Sequence, residues 1–88
     1  MTKFHFQMFL NNTSHGLRQS LNLDLGANSI GNILVYDLNG KVVSQFANKQ
    51  LTKGTNQIEI PISNFNNGVY FVKAEVNGEV KVSKFLKQ

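Results

Sequence analysis

The stretch Phe65–Gln88, FNNGVYFVKAEVNGEVKVSKFLKQ, decides the fold. Val69 to Val76 is dense in β-branched and aromatic residues, the composition of a half-buried strand. Asn77-Gly78 follows. Asn-Gly is the strongest short hairpin signal, because both central residues of a type I′ turn need positive φ. Val80 and Val82 then return along a last strand that runs out to the C-terminus. Phe85 and Leu86 stand side by side in it, so Val80, Val82 and Phe85 do not share one period-2 face. A bulge near Ser83-Lys84 is expected to re-aim Phe85 to the core face of Val80 and Val82, leaving Lys84 and Lys87 exposed. The C-terminal end is thus read as an ordered ribbon of a sheet.

Working outward, the same grammar repeats. Asn32–Asp37 (NILVYD) is a nearly continuous apolar run, which suits a central strand. Asn39-Gly40 supplies a second hairpin turn, and Lys41–Phe46 (KVVSQF) comes back from it. Ala47–Gly54 reads as a polar loop. Thr55–Ile62 (TNQIEIPI) puts Ile58, Ile60 and Ile62 on one face. Pro61 cannot donate to a ladder, so this strand is expected at an edge or leaving the sheet. Phe65 is expected to point back to the core. Towards the N-terminus, Leu21, Leu23 and Leu25 alternate with polar residues in one strand, and Phe4, Phe6, Met8 and Leu10 alternate in another. Asn11–Gly16 (NNTSHG) and Gly26–Gly31 (GANSIG) read as loops. Tyr36 and Tyr70 are each expected to pack the ring and bond the hydroxyl at the core boundary. About seven short strands, separated by turn signals and with no helical periodicity, argue for one all-β domain over residues 1–88. The architecture expected is an immunoglobulin-like antiparallel β-sandwich.

At 88 residues the core is small; a chain of this length buries roughly 60–65% of its unfolded surface. The absence of cysteine removes disulfides, thiolate nucleophiles and Cys-based zinc sites from consideration. The net charge is +4, but eight of the nine bases are lysines scattered singly until Lys81, Lys84 and Lys87. Nucleic-acid surfaces favour clustered arginines among aromatic platforms, so no nucleic-acid partner is expected. The lysines instead suit solvated faces and strand edges. The opening FHFQMFL is interrupted by His5 and Gln7 and lacks a small-residue cleavage site, so it reads as a strand and not a signal peptide.

His5 and His15 lie in different elements with no acid at ligand spacing, and a metal site needs three or four converging ligands. Ser14-His15 lacks a third group to hold a nucleophile and base, and no glycine loop opens a helix to hold phosphate. Neither catalysis, metal nor cofactor is expected. A surface module that adheres to protein or glycan, with Phe9 and Phe46 as its aromatic contacts, is the alternative function. A small sandwich with open edges also leaves dimerisation through strand exchange or edge pairing open.

An ordered set of motifs carries a resemblance. Val35–Val43 (VYDLNGKVV) comes first, then Gly54 ahead of the isoleucine strand. Phe65–Lys73 (FNNGVYFVK) and Lys81–Lys87 (KVSKFLK) complete the set. In this order and spacing the chain resembles the type A C-terminal sorting domain of the type IX (Por) secretion system of Bacteroidetes. Leu10–Thr13 stands where that family usually has a Pro-Asn-Pro-like segment, without either proline. The resemblance implies an immunoglobulin-like sandwich at the end of a larger cargo protein, so the chain is expected to be a fragment. It implies passage of the cargo through the periplasm to the outer-membrane surface or the medium. It implies as partners the outer-membrane secretion machinery and a sortase-like peptidase. Gly68 and Tyr70 match the family's Gly-x-Tyr element, and Lys84–Lys87 its terminal basic-apolar element. The recognition residues so expected are Gly68, Tyr70, Lys81, Lys84, Phe85, Leu86 and Lys87, with Asn39, Gly40, Asn77 and Gly78 shaping turns.

Overall fold

A computed structural model describes residues 5–13 and 17–88, the side chains of 12 and 13 excepted. Its seven strands are β1 (Phe6–Thr13), β2 (Arg18–Leu25), β3 (Ser29–Asp37), β4 (Val42–Leu51), β5 (Gly54–Pro61), β6 (Gly68–Val76) and β7 (Glu79–Lys87). They form two antiparallel sheets, a three-stranded one in the order β1-β2-β5 and a four-stranded one in the order β4-β3-β6-β7. The fold is the all-β, immunoglobulin-like sandwich. The chain crosses between the sheets after β2, β4 and β5, and the other connections join neighbours within a sheet.

Period-2 alternation builds the core from both inner faces. The three-stranded sheet contributes Phe6, Leu21, Leu23, Leu25, Ile58 and Ile60. The four-stranded sheet contributes Ile33, Val35, Leu51, Tyr70, Val72, Ala74, Val76 and Phe85. The near-continuous run of β3 takes the central place expected of it, between β4 and β6. β5 is an edge, and Pro61 is its last residue. Phe65 packs against the core as expected.

Loop boundaries differ where polar residues continue a strand. Residues 47–51 belong to β4 and not to a loop, because an edge strand with one outer face tolerates polar side chains. Asn11–Thr13 likewise extend β1, paired with Arg18–Ser20. His15 lies outside the described residues. β3 begins at Ser29, inside the expected GANSIG loop. Gly31 belongs there for a steric reason: a Cβ at that position would stand 2.9 Å from Val76 Cγ2 and 3.1 Å from the Glu75 carbonyl oxygen.

The two Asn-Gly turns are different objects. At Asn77-Gly78 both residues have positive φ, 51° and 80°, as a two-residue type I′ hairpin requires. At the other, only Gly40 is positive (85°). Gly40 N–H donates to the Asp37 carbonyl, and the Asp37 Oδ1 carboxylate accepts from the N–H groups of Asn39 and Lys41, each at 2.9 Å. This is a turn followed by a glycine bulge, held by an aspartate.

Candidate recognition surface

The expected recognition residues all lie on the β6–β7 hairpin, and its register decides which of them meet solvent. Pairing runs without a break from Val76↔Glu79 to Gly68↔Lys87. There is no bulge at Ser83-Lys84. Directly opposed residues of two paired strands share a face. Val76, Ala74, Val72 and Tyr70 point inward, so Glu79, Lys81, Ser83, Phe85 and Lys87 do too. Val80 and Val82 are therefore not on the face of Phe85. They lie on the outer face with Lys84 and Leu86, and Val82 and Leu86 are 51% and 52% exposed. Burying the two valines by a bulge would break the ladder. The unbroken ladder places the bulkiest apolar residue, Phe85, in the core and leaves the valines outside.

Tyr70 and Phe85 are consequently core residues, 6% and 7% exposed. Their rings stack at 5.5 Å, and Phe65 closes on Tyr70 at 4.9 Å. The Tyr70 hydroxyl donates to the Asn66 carbonyl at 2.7 Å. It ties the β5–β6 crossover to the start of β6, the arrangement called a tyrosine corner in immunoglobulin-like sandwiches. Gly68 begins β6 with φ of 150°, and open space surrounds the position its Cβ would take.

The inward lysines sit at the rim, where a long stem can run along apolar surface while the ammonium stays in water. Lys81 Nζ lies 5.7 Å from the Phe6 ring centroid and 3.5 Å from Glu79 Oε2. Glu79 Oε1 is 3.2 Å from Nδ1 of the largely exposed His5. No spacing in the chain points to this His–Glu contact, which joins the residue before β1 to the first residue of β7. Lys87 Nζ donates to the Phe65 carbonyl oxygen at 3.4 Å. Lys84 and Leu86 remain as the exposed pair.

Around that pair lies an apolar face that sequence reasoning missed. Tyr36 on β3 and Phe71 on β6 are opposed and stack at 5.5 Å on the outer side of the sheet. Tyr36 is thus not a core-boundary tyrosine of the expected kind. Phe71 in turn opposes Lys84, and Val69 opposes Leu86. Strict alternation through β6 and β7, with no bulge inserted, was the signal that could have found this strip. Phe9 and Phe46 form no common platform: Phe9 is exposed on the three-stranded sheet, while Phe46 packs against the core.

Among the described residues, no group of three or more His, Cys, Asp or Glu gathers in a way that could hold a metal. Among the same residues, no helix is long and apolar enough to cross a membrane.

A family model described as the secretion system C-terminal sorting domain matches residues 17–88, from the residue before β2 to the C-terminus. The chain belongs to this family. The sorting domain carries a type IX secretion signal, which implies interaction with the secretion machinery and a secreted or cell-surface cargo. β1 lies outside the matched segment, although its residues complete the three-stranded sheet. No curated protein matches the chain.

Proposed function

We propose that the sorting domain works without chemistry of its own, as a folded surface read by the export machinery while its cargo passes from the periplasm across the outer membrane. The part read is the outer side of the β6–β7 hairpin, where Lys84 and Leu86 project beside Val69 and Phe71. A sortase-like peptidase is the second partner in this reading. The observation that carries it is the division of labour along the last strand. Phe85 fixes the strand in the core, and the neighbouring positions 84 and 86 turn a charge and an apolar side chain to solvent. Tyr70, Phe85 and Gly68 then serve the surface indirectly, by holding the ribbon in place.

Deleting Lys84–Gln88 from a cargo fusion would remove Phe85 and with it part of the core, so point changes separate surface from fold. In a fusion carrying Lys84→Glu and Leu86→Ser, the domain is expected to keep its melting temperature while the cargo accumulates in the periplasm. Export at the unaltered rate, with the fold intact, would sink this reading.

The Tyr36–Phe71 pair, half-buried on the outer side of the sheet, favours one alternative, an adhesive or glycan-binding module, because aromatic rings at a surface suit sugar rings. Glycan-array binding by the isolated domain, lost in Tyr36→Ala with export unchanged, would favour it over sorting.

A further inference from the structure

The free edge of β7 has a self-complementary pattern, and we propose that it pairs antiparallel with β7 of a second copy of this chain, about a two-fold axis through Ser83. This inference does not depend on the sorting reading.

The two-residue turn fixes which backbone groups are free. Val76 and Glu79 close the Asn77-Gly78 turn as a hydrogen-bonded pair, and such pairs alternate along an antiparallel ladder. Glu79, Lys81, Ser83, Phe85 and Lys87 therefore turn their N–H and C=O groups to β6. Val80, Val82, Lys84 and Leu86 turn theirs outward. Among the described residues, β6 is the only strand paired with β7. Two of the other three edges, β4 and β5, are treated differently. β4 carries register shifts opposite β3 on both sides of the Ile33–Val35 segment and a positive φ at Asn48, and β5 ends in Pro61. Bulges and proline are devices that spoil a strand edge for pairing. β7 has neither, and its register is regular over all nine residues.

The lysines of β7 select the partner and the register. With the axis at Ser83, Val80 opposes Leu86 and Val82 opposes Lys84 on the outer face. On the other face Glu79 opposes Lys87, Lys81 opposes Phe85, and Ser83 opposes its own mate. Every outward N–H and C=O from Val80 to Leu86 finds a partner, Glu79 and Lys87 make an opposite-charge pair twice by symmetry, and no lysine meets a lysine. Moving the axis to residue 84 sets Lys84 against Lys84 and Lys81 against Lys87, and like charges directly opposite are unfavourable. Moving it to residue 82 shortens the overlap and loses the Glu79–Lys87 pair. The result is an isologous dimer with one continuous sheet across the axis. Edge pairing alone buries little surface, so the dimer is expected to dissociate on dilution in about the micromolar to millimolar range.

The chain has no cysteine, so a single introduced thiol reports the axis. In Ser83→Cys the two thiols fall in a non-hydrogen-bonded pair with Cα atoms about 4.5 Å apart, within disulfide reach. In Lys81→Cys the mates lie four residues out of register, about 13 Å apart. Mild oxidation of the full chain is expected to cross-link Ser83→Cys and not Lys81→Cys. Sedimentation equilibrium should show Glu79→Lys weakening the dimer about tenfold, with most of the loss recovered in Glu79→Lys/Lys87→Glu. A monomer at every concentration overturns the proposal. So does cross-linking that is equal at both positions, or a dimer without the Ser83→Cys cross-link, as strand exchange would give.

Discussion

The two faces of the β6–β7 hairpin are built from similar residues and do opposite work. The inner face carries Tyr70, Val72, Ala74, Val76 and Phe85, sealed against the three-stranded sheet. The outer face carries Val69, Phe71, Val80, Val82 and Leu86, with Lys73 and Lys84 among them, and nothing of the described chain packs over its last strand. Hydrophobicity does not separate the two sets. Position in the ladder does: a side chain is buried when its face is covered, whatever its own preference for water. Apolar residues on the uncovered side add little to folding, so their presence is where binding is sought.

Neighbouring positions 85 and 86 give the sharpest way to break this comparison. Phe85→Ala removes a ring that stacks on Tyr70 and leaves a cavity, and is expected to cost about 3–5 kcal/mol. For a domain this small that approaches its whole stability, and chemical denaturation should show it partly or fully unfolded. A loss below about 1 kcal/mol would mean that Phe85 is not a core residue.

A middle-sized effect is expected at Tyr70→Phe. The ring and its packing stay, but the hydrogen bond to the Asn66 carbonyl is lost, for about 1 kcal/mol. The loss should appear as a lower denaturant midpoint with an unchanged slope. A neutral substitution would show that the corner does not hold the crossover.

Leu86→Ala should do least to the fold, within about 0.5 kcal/mol, because the side chain already stands half in water. Its effect belongs instead in the binding measurements, where export and self-association read the outer face separately from stability. A Leu86→Ala domain as unstable as Phe85→Ala would erase the distinction between the faces.

Much of this was legible in the residues. The strands around Leu21–Leu25 and Ile58–Ile60 follow from alternation, the strand around Ile33–Val35 follows from its near-continuous apolar run, and Asn77-Gly78 fixes its own turn. The edge position of Pro61 follows from its missing donor. The facing of β7 was misread because Val80 and Val82 look like core. Yet the two-residue turn already contained the answer. It opposes Val76 to Glu79, and every later inward position on β7 follows from that pair. The Asp37 cradle under Gly40 was hidden for another reason, since only the folded turn brings the N–H groups of Asn39 and Lys41 to one carboxylate.

By itself, the order of residues determined the class of fold, the strands and the membership of a secretion signal, because these rest on local period and on short motifs at fixed spacing. Only the tertiary structure decided which sheet each strand joins. It decided that Tyr70 and Phe85 stack together in the core, and that His5 meets Glu79. Those outcomes depend on which faces are covered and on contacts between residues far apart in the chain, and neither is written in any local pattern.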